Sequence, residues 1–88
     1  MQHLVIKVYG KVQGVFFRKI AENMADSLGI CGYVKNCDDG SVLIEAEGGD
    51  DELDMFIVWC KKGPRGAQVE KIEIENAEQK HYKDFRSL

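Results

Sequence analysis

The chain is most informative first for what it lacks. Its 88 residues include one proline, three cysteines and two histidines. No apolar run approaches the roughly 20 residues of a membrane-spanning helix. Met1-Gln2-His3 does not open a basic segment followed by an apolar stretch, so no signal peptide is expected and a cytoplasmic location is the default. Cys31, Cys37 and Cys60 are odd in number and form no C-x-x-C pair. His3 and His81 lie at opposite ends of the sequence, so no metal-ligand spacing emerges and no metal or cofactor is expected. The three thiols read as structural or incidental, with Cys60 on the apolar stripe of a helix. A net charge of −3 argues against broad nucleic-acid affinity, which depends on neutralising phosphates with a basic face. No repeat, linker or low-complexity segment interrupts the chain. Residues 1–88 therefore read as a single domain, burying roughly 60–70% of its unfolded surface.

One further absence points to chemistry. No Ser, Thr, Asp or Asn lies between Gly10 and Arg18, in the stretch Gly10-Lys11-Val12-Gln13-Gly14-Val15-Phe16-Phe17-Arg18. A strand-like run from Leu4 to Tyr9 precedes it, and a helix-like pattern follows. The first amides of a helix have no intrahelical partner and usually find a capping oxygen. Here they need water or a ligand. Arg18 falls in the first turn, where a cation opposes the helix dipole. Bare N–H donors beside a guanidinium suit an anion, most naturally a phosphate. Poorly capped helices and solvated arginines are also common, so this loop alone does not decide the matter. Lys11, Lys19 and Lys35 add local positive charge, while Glu70, Glu73, Glu75 and Glu78 crowd the last third. Such a split could steer a small anion, or could be an ordinary mixed surface.

The periodicities predict β-α-β-β-α-β. Leu4, Ile6 and Val8 alternate as a half-buried strand. Phe17, Ile20, Ala21, Met24, Ala25 and Leu28 form one helical stripe, and Gly29 suits its left-handed stop. Cys31–Asn36 and Ser41–Glu47 read as a hairpin about Asp38-Asp39-Gly40. Asp50 is the expected N-cap of a second helix, with Leu53, Phe56, Ile57 and Cys60 inward and Trp59 packing beside them. Gly63-Pro64 stops that helix. Val69–Asn76 follows as a strand with Ile72 and Ile74 inward. The expected fold is α+β and ferredoxin-like: an α/β sandwich with a mostly antiparallel four-stranded sheet and two helices on one face. A short fifth strand from Tyr82 to Leu88 is an optional addition. The right-handed crossover makes the second strand parallel to the first, with the third between them. Asn36 then emerges at the same end of the sheet as the uncapped loop. By itself Asn36 reads as a turn residue of the hairpin.

Gly10-x-Val12-Gln13-Gly14-Val15-x-Phe17-Arg18, followed by Gly32-x-Val34-x-Asn36, resembles the acylphosphatase signature. Asp39-Gly40-Ser41-Val42, Glu47-Gly48, Gly63-Pro64, Ala67-x-Val69 and Tyr82-x-x-Phe85 extend the resemblance over almost the whole chain. It implies hydrolysis of a small-molecule acyl phosphate to carboxylate and inorganic phosphate, without a metal. It further implies that Arg18 and Asn36 are catalytic and that the backbone from Gln13 through Gly14, Val15, Phe16 and Phe17 to Arg18 binds the phosphoryl group. Inorganic phosphate or sulfate would be a product-like ligand, and no nucleic-acid or membrane partner is implied. A monomer is expected. No sequence feature forms a pocket for the acyl part. The competing reading is a non-catalytic binding module, since the same sandwich also carries RNA-binding and regulatory domains. An RNA-binding sheet would expose aromatics on its central strands, where Tyr9 and Tyr33 are the candidates.

Overall fold

A computed structural model describes all residues, 1–88. In chain order it contains β1 (Gln2–Lys11), α1 (Phe17–Leu28), β2 (Cys31–Asn36), β3 (Val42–Gly48), α2 (Asp50–Lys62), β4 (Gln68–Ala77) and β5 (Phe85–Ser87). The sheet has five strands in the order β4-β1-β3-β2-β5. β3 lies between β1 and β2 and runs antiparallel to both, so β1 and β2 run the same way. β5 joins parallel to β2 as a full fifth member of the sheet, three residues long. It begins later than expected, and Tyr82 belongs instead to the connection before it.

Alternation decides which face each residue serves. Leu4, Ile6 and Val8 stand level with Ala46, Ile44 and Val42 on β3, and all six are buried. Both helices cover this face. Their inward residues, Phe17, Ala21 and Ala25 on α1 and Leu53, Phe56 and Cys60 on α2, complete one core. Trp59 joins the helices, its ring 5.1 Å from Phe17 and 6.0 Å from Phe56. Cys60 is fully buried, and burial pushes its thiol pKa up, which makes it a poor nucleophile.

Two local expectations change. Gly49, not Asp50, occupies the N-cap position of α2, and Asp50 is its first helical residue. The Asp50 carboxylate is turned outward, accepting a 2.9 Å hydrogen bond from the Gln2 side chain. With Asp51 and Glu52 it still places negative charge where the helix dipole favours it. Ile74 lies on the core side, level with Ile6, yet remains 40% exposed. β4 is an edge strand, and Ile74 stands where the helices give incomplete cover.

The opposite face is crossed by the connection from β4 to β5, since those strands occupy opposite edges of the sheet. The crossing is held by two glutamates from β3. Glu47, 3% exposed, accepts from the amides of Lys80, His81 and Tyr82. Glu45 accepts from the hydroxyls of Tyr33 and Tyr82. Buried His3 bridges the Glu45 carboxylate and the Glu78 carbonyl. Tyr9 is likewise engaged, donating to Glu73 at 2.8 Å. The tyrosines that an RNA-stacking platform would use are thus tied to carboxylates.

Burial would raise the Glu47 pKa, but its three amide donors, with His3 nearby, hold it below the ordinary value. A depressed folded-state value contributes stability above the unfolded pKa of about 4.3, and loses it as pH falls through the folded value. Urea titrations from neutral to acid pH should therefore show stability declining below that point. Glu47→Gln should lose about 1–3 kcal/mol at neutral pH and show a shallower acid decline. An unchanged slope would remove Glu47 from this role.

Candidate active site

The site begins where β1 leaves the sheet. The β1–β4 register shifts between Tyr9 and Gly10. Gly10 has φ 127°, and a Cβ there would lie 2.1 Å from the Gln68 carbonyl oxygen, so only glycine permits this exit. Val12 then turns into the core, and the chain reaches α1 through Phe16. Phe16 is the N-cap residue, with φ 62° and ψ 19°, and no side chain caps the helix. A bulky residue in the left-handed region is a genuine outlier, costing about 1–3 kcal/mol. The two adjacent rings are placed oppositely. Phe17 is 2% exposed and packed on Trp59, whereas Phe16 is 80% exposed.

The first turn of α1 carries no acidic residue. Arg18 is half-buried, and its Nη1 donates to the Leu88 carbonyl oxygen. A guanidinium has five N–H donors, so this contact leaves others for a ligand. β5 brings Leu88 there: the Leu88 amide donates to the Val34 carbonyl at 2.9 Å, continuing the β2–β5 pairing.

Asn36 ends β2, exposed at the same rim. Its hairpin is fixed from two sides. Gln13 Nε2 donates to the carbonyls of Cys37, at 2.8 Å, and Ser41, at 2.9 Å. Within the turn, Asp39 accepts from both the Ser41 hydroxyl and its amide, and pairs with Lys7 at 3.1 Å. The Ser41 hydrogen bonds, with Lys7, draw the Asp39 carboxyl down to about 2.

These elements border an open hollow of about 350 Å³ lined by Gly14, Phe16, Arg18, Lys19, Asn36 and Ser87, with the buried Val12 and Phe17. Of the residues singled out from sequence, Gly14, Phe16, Phe17, Arg18 and Asn36 come together here. Gln13 and Val15 do not line it. The Gln13 side chain reaches the hairpin, and Val15 packs beside Gly66 at the core margin. Ser87 gave no sequence signal, because its position depends on the parallel docking of β5. Lys19 is ion-paired with Glu22 at 3.3 Å. No cluster of three or more His, Cys, Asp or Glu side chains that could hold a metal ion is present.

The family model described as acylphosphatase matches residues 4–87. The chain belongs to the acylphosphatase family. An acylphosphatase of Thermotoga maritima is 46% identical over 85 residues, covering 97% of this chain and 94% of that relative. One of Thermus thermophilus is 42% identical, with 97% of each chain covered. The crystal structure of acylphosphatase from Bacillus subtilis superposes with a TM-score of 0.97 at 35% identity, covering 100% of this chain and 99% of that one. Membership, the α+β sandwich and the strand order thus agree with the reading of the motifs.

The two bonds from Gln13 link the loop before α1 to the Asn36 hairpin. Gln13→Ala should lower stability by about 1–2 kcal/mol in urea unfolding and reduce turnover of acetyl phosphate. Full turnover in a destabilised variant would show that the link serves folding alone.

Proposed function

We propose that this acylphosphatase hydrolyses acyl phosphates by binding the phosphoryl group at the start of α1, with Arg18 and Asn36 as its catalytic residues. The observation that carries this reading is that Arg18 and Asn36 line one hollow at an uncapped helix N-terminus. Backbone amides of the loop from Gln13 to Arg18 would cup the phosphoryl oxygens, with Gly14, at φ 75°, shaping the turn. Arg18 would donate a forked pair of hydrogen bonds to the same group. Both contacts stabilise the charge spread over those oxygens in the transition state.

Asn36 would hold the attacking water in line with the leaving carboxylate. An amide has no basicity at neutral pH, so its contribution is orientation. No general acid is required. The departing carboxylate has a conjugate acid of pKa roughly 4 and leaves without a proton, unlike the alkoxide of a phosphate ester. A site with a guanidinium, an amide and backbone donors therefore selects an activated anhydride. Inorganic phosphate, the product, would occupy the same hollow, and sulfate could stand in for it.

In this reading residues 1–88 work as one domain and as a cytoplasmic monomer. The charges of Glu70, Lys71, Glu73 and Glu75 along edge strand β4 discourage edge-to-edge pairing and so support the monomer. No helix is long and apolar enough to cross a membrane.

Acetyl phosphate hydrolysis tests the two assignments separately. Arg18→Ala should lower kcat/KM by about 100- to 1000-fold and abolish competitive inhibition by inorganic phosphate. Near-normal turnover would remove Arg18 from the site. Asn36→Ala should lower kcat by about 100-fold while phosphate inhibition persists. Lost inhibition with unchanged kcat would instead make Asn36 a binding residue.

A further inference from the structure

Phe16 has two properties that phosphate binding does not explain. A backbone amide is all that the anion site takes from this position, and any residue except proline supplies one. Asn or Gly would hold the left-handed conformation with far less strain, and both are favoured at an N-cap. Phenylalanine does neither, and its ring gains little from the fold, because the residue is 80% exposed. The residue nevertheless lines the hollow that contains Arg18 and Asn36. A residue that both lines a cavity and remains mostly exposed stands at its rim.

The chemistry of an acyl phosphate places something at that rim. The phosphoryl group sits at the amides, and the acyl substituent begins a few bonds away, outside the anion cradle. The hollow, about 350 Å³ and open to solvent, extends beyond the space of a phosphoryl group. Besides Arg18 and Asn36, the exposed side chains lining the hollow are those of Phe16, Lys19 and Ser87, and the short Ser87 hydroxyl offers no apolar surface. Lys19 would favour an anionic acyl group, but it is paired with Glu22 at 3.3 Å. Phe16 is apolar, flat and without a partner ring: the aromatic pairs of the molecule join Phe17, Phe56, Trp59 and Phe85, or His3, Tyr33 and Tyr82.

We infer that the Phe16 ring is the acyl-group platform of the enzyme and biases it toward acyl phosphates with flat, apolar substituents, aromatic ones above all. This inference rests on the proposed phosphoryl site and adds a specificity-determining residue to it. The strained backbone holds the ring outward, where a substituent can stack on it as the phosphoryl group docks. Discrimination then appears in the ratio of kcat/KM values for two substrates sharing one phosphoryl group.

The test compares benzoyl phosphate with acetyl phosphate on the full chain. Phe16→Asn keeps a residue suited to the left-handed cap and removes the ring. It should lower kcat/KM for benzoyl phosphate by roughly three- to tenfold more than for acetyl phosphate. Phe16→Tyr, which retains the ring, should keep the original ratio. Phe16→Leu retains apolar bulk without a flat face and should also lose most of the preference, which covers the case of a poorly folding Asn variant. Equal losses on both substrates in the Asn and Leu variants would overturn the platform while leaving the phosphoryl site standing. A ratio that moves with Lys19→Ala and not with Phe16 would overturn it as well. Failure of the unaltered protein to hydrolyse either substrate would overturn the proposed function itself, and the platform with it.

Discussion

The site depends on β3 lying between β1 and β2. Antiparallel pairing on both sides makes the outer two strands run the same way, so the exit from β1 and the end of β2 reach one rim of the sheet. Residues 18 positions apart in sequence, Arg18 and Asn36, therefore open onto one hollow. The helices cover the other end of no strand in this arrangement; they cover a face, which leaves the rim free for a ligand. The same geometry explains why Gln13 can reach both sides of the hairpin turn with a single amide.

The second constraint is at the opposite end of the sheet. Glu47 collects three consecutive amides from a segment with no regular structure, and Glu45 collects two tyrosine hydroxyls. A buried carboxylate is expensive unless it is hydrogen-bonded, and these bonds replace its hydration. The segment so held delivers β5 to the edge of β2, and β5 in turn delivers Ser87 and the Leu88 carbonyl to the Arg18 side of the hollow. Two carboxylates remote from the site thus determine one of its walls.

Local signals in the chain were legible where a single element carried them. The apolar stripe from Phe17 to Leu28, closed by Gly29, predicts α1 with its observed bounds, and Cys31–Asn36 likewise coincides with β2. The missing cap before Arg18 is read from residue types alone, and the structure has no side-chain cap there. What escaped needed a partner distant in sequence. Asp50 has the residue type of a cap, but the helix begins one residue earlier than that role requires, and its carboxylate meets Gln2. Ile74 has the right period for burial, but its strand lies at an edge, which periodicity does not reveal. The reach of the Gln13 side chain and the place of Ser87 follow from strand order, and no window of neighbouring residues contains them. The left-handed Phe16 was equally hidden, since nothing in its residue type favours that conformation.

The pairing of β1 with β4 has a consequence for how the molecule forms. His3 to Lys11 must find Ala77 to Gln68, across nearly the full span of the chain. Until that happens the first strand, rich in Val and Ile, presents a naked flank to any extended polypeptide nearby. Closing so long a loop is entropically slow, and contacts this distant in sequence are associated with slow folding. During that interval the nascent domain is most exposed to sticking to its own kind. The fourth strand is therefore a shield as much as a scaffold: its glutamates replace an adhesive margin with a repellent one.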